Sequence, residues 1–414
     1  MVGLSAAGLS AAETLRAEGF TGRLTLIGAE PHLPYDRPPL SKAVLAGDLT
    51  PEHTWLRPDG DYTDLGADII LGTAATALHP AERVIGLADG STLRYDGLII
   101  TTGLRPRPLP VAAGLTGVHV LRTLDDALAL RHALLDAQRI AVIGAGFLGT
   151  EVAATAQRMG LDVTLIDPAP APLTPQLGRE IGALLRRQHA TRGVTVLPGV
   201  GVRRILTTST KRAAGVLLED GTAIPADAVV VAIGSIPNTT WLADSGLPLG
   251  DGVLCDQYCR AAPGIFAAGD IAAWSDPSTG QHRRLEHRMH ATEHGAAAAR
   301  NLLHEHDTAT PDTGMTPFKP VPYFWTDQYN VKLQIIGIPT TEAHIVLESG
   351  DVAQGAFSAV YVQDERVIAA VCWNRPARLP ALRRLVANHA PWPTPTTTPE
   401  QTTTEALREL ATTH

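Results

Sequence analysis

The sequence predicts an α/β fold with two Rossmann-like units, and three observations predict it. A glycine turn leading into a helix opens the chain. A complete strand–turn–helix–strand unit recurs at 139–167. Apolar β-branched runs that stop at small residues are spread through the remainder.

The opening, MVGLSAAGLSAAETLRAEGF, places Gly3, Ser5 and Gly8 in a G-x-S-x-x-G ahead of a helical run. Ser5, Ala6 and Ala7 are small enough to let backbone approach a pyrophosphate, and a helix N-terminus offers unpaired N–H groups. The run RLTLIGAE then reads as a short strand ending at Glu30, 27 residues past Gly3. An acid at that point bonds a ribose, the usual separation being about 20 residues.

The second unit, RIAVIGAGFLGTEVAATAQRMGLDVTLID, has its strand, a full G-x-G-x-x-G at Gly144, Gly146 and Gly149, a helix, and a strand ending at Asp167, 23 residues after Gly144. Phe147 and Leu148 complete the turn. A carboxylate at Asp167 accepts from the 2′-OH of NAD and repels the 2′-phosphate of NADP. No Arg or Lys follows until Arg179, so NADH is the expected nucleotide. Two turns imply two dinucleotides. The second is expected to be FAD, since hydride needs an acceptor and the chain has no redox cysteine pair.

The runs YDGLIITTGLRPRPLP (95–110), ADAVVVAIGSIPN (226–238) and GIFAAGDIAAW (264–274) read as buried strands ending at ligand-facing loops. Asp270 precedes a helix-like stretch, where it caps that helix or bonds a sugar hydroxyl. The composition, 44% hydrophobic and 18% charged, is that of a globular chain. A net charge of −8 gives no footprint for nucleic acid. No apolar run reaches the roughly 18 residues of a membrane span. The opening lacks a basic start and is interrupted by Glu13, unlike a signal peptide. Three cysteines, Cys255, Cys259 and Cys372, are too few for a disulfide framework. Together these predict a cytoplasmic protein. Cys255 and Cys259 (a C-x3-C) read as structural, and HEH at 304–306 as solvated, with no metal site.

The stretches GLSAAGLSAAETLR, PYDRPPLSK, TTGLRPR, GAGFLGTEVAA, AIGSIPN, PGIFAAGD and VPYFWTDQYNVKLQIIG resemble the flavin-dependent reductases that serve iron–sulfur proteins of bacterial oxygenase systems, relatives of apoptosis-inducing factor. The resemblance spans residues 3 to about 338, and PYDRPPLSK and YFWTDQY are its specific parts. It implies a glutathione-reductase-like architecture: an FAD domain split over 1–108 and 238–311, an NAD domain at 109–237, an α+β interface domain at 312–389, and a mobile Pro/Thr-rich tail from 390 to 414. The family's first turn follows a central strand, most of which this sequence lacks. A late start site or a natural short form, with weakened FAD retention, is the expectation.

The resemblance also implies roles. Arg37 approaches the FAD pyrophosphate, and Lys42 the flavin N5. Glu151 reaches Lys42 and the nicotinamide carboxamide, which makes Lys42 and Glu151 the catalytic pair. Thr102, Gly103 and Arg107 line the FAD side of the crossover, and the backbone of Ala75 reads adenine. Asp270 and Glu286 border the flavin, Trp325 lies beside its ring, and Gly234 faces the NAD. In LEHRMHATEHGAAAA, Arg288 stands where relatives carry tryptophan and His290 where they carry asparagine. One or both of two basic groups, Arg283, Arg284 and Arg288, or Arg375, Arg378, Arg383 and Arg384, are expected to dock an acidic ferredoxin or rubredoxin. The implied enzyme is a monomeric or homodimeric NADH-dependent ferredoxin reductase. The alternatives are an NADH-responsive redox sensor, and an NADH oxidase or disulfide-type reductase, disfavoured because no cysteine precedes 255.

Overall fold

A computed structural model describes residues 1–57, 60–307 and 314–392. The expected tail lies outside them from 393 onward, and so does the boundary expected at 311–312. The chain divides into two units. The first comprises Met1–Pro38, Thr50–Arg105 and Ser235–Pro320, and the second Pro39–Leu49, Pro106–Gly234 and Val321–His414. Prolines stand at three of the crossings between them: Pro38–Pro39, Pro106 and Pro320.

The first unit is built on a sheet in which Ala67–Ile70 pairs with Leu24–Ile27, both parallel. Leu98–Ile100 pairs in parallel with Ile265–Ala267, which takes Arg260–Ala262 as an antiparallel edge. The two halves meet at one residue. Val2 bridges both Ile27 and Ile100 in parallel. Its N–H donates to Ile99 O at 3.1 Å, and Gly3 N–H to Ile27 O at 2.8 Å. The expected short first strand is thus a single bridge that still touches both neighbours. Leu26, Ile99, Ile100 and Phe266 are at most 1% exposed, and each contributes about 1.5–3 kcal/mol by burial. Helix Ala6–Ala17 follows the turn, with a face of Ala7, Leu9, Ala11, Ala12 and Leu15 in the core. It packs on helix Arg288–Asp307, where Ser10 Oγ donates to Thr292 O at 2.8 Å. The 264–274 run contains strand Ile265–Ala267, a 3-10 turn at Gly269–Ile271 and strand Ala272–Ser275. Asp270 therefore sits in a turn between strands, and the expectation of a helix after it is corrected.

The second unit carries a five-stranded parallel sheet in the order Thr195–Pro198, Asp162–Asp167, Arg139–Ile143, Ala228–Val231, Val118–His119. This order puts the strand before Gly144 at the centre, with neighbours on both sides. Ile140, Ala141, Val142, Val229 and Val230 are fully buried, which explains their apolar, non-alternating sequence. Residues 321–392 add an antiparallel sheet in the order Tyr323–Gln328, Val331–Gly337, Arg366–Trp373, Ala356–Gln363, His344–Asp351. Helix Thr174–Ala190 lies against it through Leu177, Ile181 and Leu185, which cluster with Phe324, Leu333 and Tyr361. No helix among the described residues is long and apolar enough to cross a membrane.

Candidate functional site

The sequence-predicted site residues fall into two sets, one per unit. In the first unit Gly3 takes φ 106°, and a Cβ there would lie 2.2 Å from the Thr101 carbonyl oxygen. A Cβ on Gly8 would lie 2.1 Å from Gly3 O, so the turn closes only with glycine at both positions. Ser5 is the extended N-cap of the helix and makes no side-chain cap. Ala6 and Ala7 form its first turn. The N–H groups at this end are left for an anion.

Glu30 accepts from Arg37 Nη2 at 2.7 Å and from the Tyr35 hydroxyl. Arg37 Nη1 donates to Tyr35 Oη at 3.0 Å. Burial works against the Arg37 charge, but Tyr35, Glu30 and Asp270 outweigh it and raise its pKa. Thr102 and Gly103 are tied to Asn238: Asn238 Nδ2 donates to Thr102 O at 2.9 Å, and Asn238 N–H to Gly103 O at 3.0 Å. Ala75 opens an antiparallel strand opposite Leu87. Glu286 accepts from Ser235 Oγ at 2.6 Å and from Arg284 Nη1 at 2.7 Å, and the same Arg284 nitrogen donates to Asp270 O at 3.2 Å. Arg288 pairs with Asp36 and Thr292.

His287 directly precedes helix Arg288–Asp307, and His290 and His294 lie within it. Burial lowers the first to about 4, the second to about 3 and the third well below its ordinary value. Gly269 N–H donates to His294 Nδ1 at 3.3 Å. Among the described residues, neither ring nitrogen of His290, nor Nε2 of His294, meets a hydrogen-bond partner. The Trp274 ring lies 5.0 and 5.5 Å from theirs.

In the second unit Gly144 has φ 101°, and its Cβ would lie 2.3 Å from Ala232 O. A Cβ on Gly149 would stand 1.8 Å from Gly144 O. Gly146 is the N-cap of helix Phe147–Arg158, again without a side-chain cap. Leu148 is half-buried beside Phe147, whose ring meets Phe324 edge-on at 5.3 Å. Asp167 accepts from the backbone N–H of Ala145 at 2.5 Å and of Ala169 at 2.7 Å. Arg107 N–H donates to the carbonyl of Gly234, which has φ 94°. Both turns therefore fit a dinucleotide: tight backbone, no side chain in the way, and an uncapped helix end.

Lys42 also belongs to the second unit, although Arg37 of the same motif belongs to the first. Lys42 Nζ lies 2.6 Å from Glu151 Oε2, which also accepts from Ser41 Oγ at 2.5 Å. Glu151 is buried and Lys42 is mostly covered. Thr326 Oγ1 donates to Glu151 Oε1 at 2.8 Å. On strand Tyr323–Gln328 burial alternates, so Phe324, Thr326 and Gln328 face inward, and Trp325 lies on the other face with Tyr323, rings 6.0 Å apart. Sequence reasoning did not single out Ser41, Thr326 or Gln328. Period-2 alternation within YFWTDQ was the available signal.

The arginine groups are less available than their sequence suggests. Arg283 pairs with Asp276 at 3.1 Å, and Arg284 with Asp251 at 3.1 Å as well as with Glu286. Arg378 pairs with Glu348, and Arg375 Nη1 donates to Ser349 Oγ at 3.2 Å. The side chains of Arg383 and Arg384 are exposed. Cys255, Cys259 and Cys372 are all buried, and burial pushes each thiol up. His304 and His306 are exposed as expected, but Glu305 between them is not simply solvated: it accepts from Gly264 N–H at 2.9 Å and pairs with Arg260. No group of three or more potential metal ligands occurs among the described residues.

Residues 1–295 match the family model for pyridine nucleotide-disulphide oxidoreductases, and residues 323–410 match the reductase C-terminal model. Rhodocoxin reductase of Rhodococcus erythropolis is 37% identical over 97% of this chain and 91% of its own length. The ferredoxin reductase component of chlorobenzene dioxygenase from a Cupriavidus species is 38% identical over 94% of this chain and 92% of its own. Putidaredoxin reductase, solved in covalent complex with putidaredoxin, superposes with a TM-score of 0.87 at 33% identity, covering 99% of this chain and 96% of that one. A likeness this even along the whole length shows that the chain belongs to the pyridine nucleotide-disulphide oxidoreductase family, in the branch of ferredoxin reductases that carry a reductase C-terminal domain.

Proposed function

We propose that this protein is an FAD-containing reductase that takes a hydride from NADH and passes its two electrons, one at a time, to a small acidic iron–sulfur protein serving an oxygenase. The carrying observation is the pair of glycine turns with matching geometry, together with the buried Lys42–Glu151 pair. The relatives' names, which include rhodocoxin reductase and ferredoxin reductase components of dioxygenases, support the same reading.

A bound flavin supplies the conversion between two-electron and one-electron chemistry. The chain's own residues bind and orient. The turn at Gly3, Ser5, Ala6, Ala7 and Gly8 holds the FAD pyrophosphate with Arg37. Glu30 takes the ribose, Ala75 the adenine, and Thr102, Gly103, Arg107, Asp270, Glu286 and Trp325 the remainder. The turn at Gly144, Gly146, Phe147, Leu148 and Gly149 holds NADH, with Asp167 and Gly234 beside it. Lys42 presents a fixed ammonium, and Glu151 fixes it. The three buried thiols favour this reading over a disulfide-type reductase, which needs a reactive one. The domain division is part of the proposal: 1–108 with 238–311 for FAD, 109–237 for NAD, and 312–389 as interface. So is a cytoplasmic setting.

For docking, one or both arginine groups, Arg283, Arg284 and Arg288 or Arg375, Arg378, Arg383 and Arg384, would meet the acidic partner, each group already holding acids of its own in Asp276, Asp251 and Asp36 or in Glu348. Titration of the purified flavin-loaded protein with NADH and then NADPH tests the proposal. Bleaching of the flavin band by NADH, at far lower concentration than by NADPH, and rapid return of colour on adding an oxidised two-iron ferredoxin are expected. A protein that takes up no flavin, or whose flavin ignores NADH, ends the proposal.

A further inference from the structure

A line of buried polar groups in the second unit leads away from Glu151 and has no part in the role proposed for it. Glu151 Oε1 accepts from Thr326 Oγ1 at 2.8 Å. Gln328 Nε2 approaches Thr326 Oγ1 at 3.1 Å and Thr150 Oγ1 at 2.8 Å. Gln328 Oε1 meets His189 Nε2 at 3.0 Å, and His189 Nδ1 meets the Tyr329 hydroxyl at 3.0 Å. His189 is 0% exposed, Gln328 2% and Thr326 1%. Arg192 lies over the Tyr329 ring at 4.5 Å, where the line reaches half-buried residues.

With His189 neutral, as its burial favours, donor and acceptor rules leave this line one proton arrangement. A carboxylate paired with Lys42 only accepts, so Thr326 must donate its hydroxyl proton to Glu151. Thr326 can then only accept from Gln328, whose amide nitrogen uses its two hydrogens on Thr326 and Thr150. Thr150 in turn donates to Gly146 O at 2.9 Å, at the N-cap of the helix after the glycine turn. Gln328 Oε1 needs a donor, so His189 carries its proton on Nε2. His189 Nδ1 is bare and accepts from Tyr329. From Tyr329 through His189 and Gln328 to Thr326 the donors point toward Glu151, with a branch from Gln328 through Thr150 to Gly146, and bonds aligned in this way reinforce one another in a low-dielectric interior.

We infer that Thr326, Gln328 and His189 are positioning residues that aim the Glu151 carboxylate, with Gln328 joining that carboxylate to the glycine turn through Thr150. The inference rests on the proposed role of Glu151 in flavin reduction. It assigns His189, far along the sequence from both motifs, a part in that reaction without contact with the reacting groups.

The FAD-loaded protein, labelled with 15N-histidine, tests it, the His189 signals being assigned by their loss in His189→Gln. A neutral ring protonated on Nε2 throughout the neutral pH range is expected. A proton on Nδ1, or a charged ring, overturns the inference whether or not NADH reduces the flavin. Stopped-flow reduction by NADH is the second arm. Gln328→Met and His189→Leu are expected to slow the reduction step roughly three- to tenfold, the scale of one hydrogen bond, with the NADH dissociation constant little changed. His189→Gln, which keeps a donor near the Nε2 position, is expected to recover most of the rate. Folded variants that reduce at the original rate, or a His189→Gln no better than His189→Leu, overturn it. A wild-type flavin indifferent to NADH removes the reductase reading instead, and leaves the tautomer result to be judged alone.

Discussion

At Gly3 and at Gly144 the backbone makes the same left-handed bend, φ 106° and 101°, and each residue donates its N–H to the neighbouring strand at 2.8 Å. The last glycine of each turn, Gly8 or Gly149, is held by the first, with a Cβ stopping 2.1 or 1.8 Å from its carbonyl oxygen. The supports differ. Gly144 follows a five-residue strand, Arg139–Ile143, paired on both sides, whereas Gly3 follows the lone bridge at Val2. The acids differ too: Asp167 is bound by backbone N–H groups, and Glu30 by the side chains of Arg37 and Tyr35. The turn's shape therefore comes from its own close contacts, which both turns share.

Matched substitutions give the largest expected effect. Gly149→Ala should abolish NADH binding and Gly8→Ala flavin binding, each with a loss of at least about 4 kcal/mol of stability, because a methyl group cannot share space with a carbonyl oxygen. Gly146→Ser, which copies Ser5 into the second turn, should stay within about 0.5 kcal/mol, since nothing lies within 4 Å of a Cβ there. Thermal melts and nucleotide titrations read both. Flavin retention by Gly8→Ala would show that the two turns are not equivalent.

Acid should separate the units next. His287, His290 and His294 in the first, and His189 and His119 in the second, all have pKa values lowered by burial. A depressed histidine binds its proton more readily in the unfolded chain. Its contribution is therefore intact above the unfolded value of about 6.5 and is lost as pH falls toward the folded value. Each such group removes up to about 1.4 kcal/mol per pH unit in that window. With three against two, the first unit should unfold at the higher pH. Fluorescence of Trp274, packed on His290 and His294, compared with that of Trp373, would follow this, each assigned by a Trp→Phe variant. Simultaneous loss of both signals would mean the units melt as one.

The smallest effect is expected at the acids. Asp167→Asn should shift the preference between NADH and NADPH about tenfold toward NADPH by removing a like charge. It should also cost about 1 kcal/mol of stability through the weakened bonds to Ala145 and Ala169. Glu30→Gln should leave that preference unchanged. Steady-state kinetics with both nucleotides distinguishes the two sites.

Much of the fold was legible because its signals are local: a strand, a glycine turn, a helix and an acid lie within some thirty residues at 139–167. Residues brought together by tertiary structure were harder to read. Ser41 and Thr326 bond Glu151, and Gln328 and His189 continue the line, from three places in the sequence, and none stands out alone. Arg284 and Arg288 read as part of a basic patch because Asp251 and Asp36, which pair with them, come from other segments. The stretch after Asp270 read as helix-like, but Ala272–Ser275 pairs with Gly252–Cys255 and becomes a strand.

Where the chain leaves one unit for the other at Pro38–Pro39, Pro106 and Pro320, pyrrolidine rings fix backbone torsions that would otherwise rotate freely. Each ring trims the disorder of the denatured polypeptide, a saving of about 0.4–1 kcal/mol per position where the native angle suits proline. A protein assembled from interleaved stretches of its own chain thus folds with fewer loose joints to search.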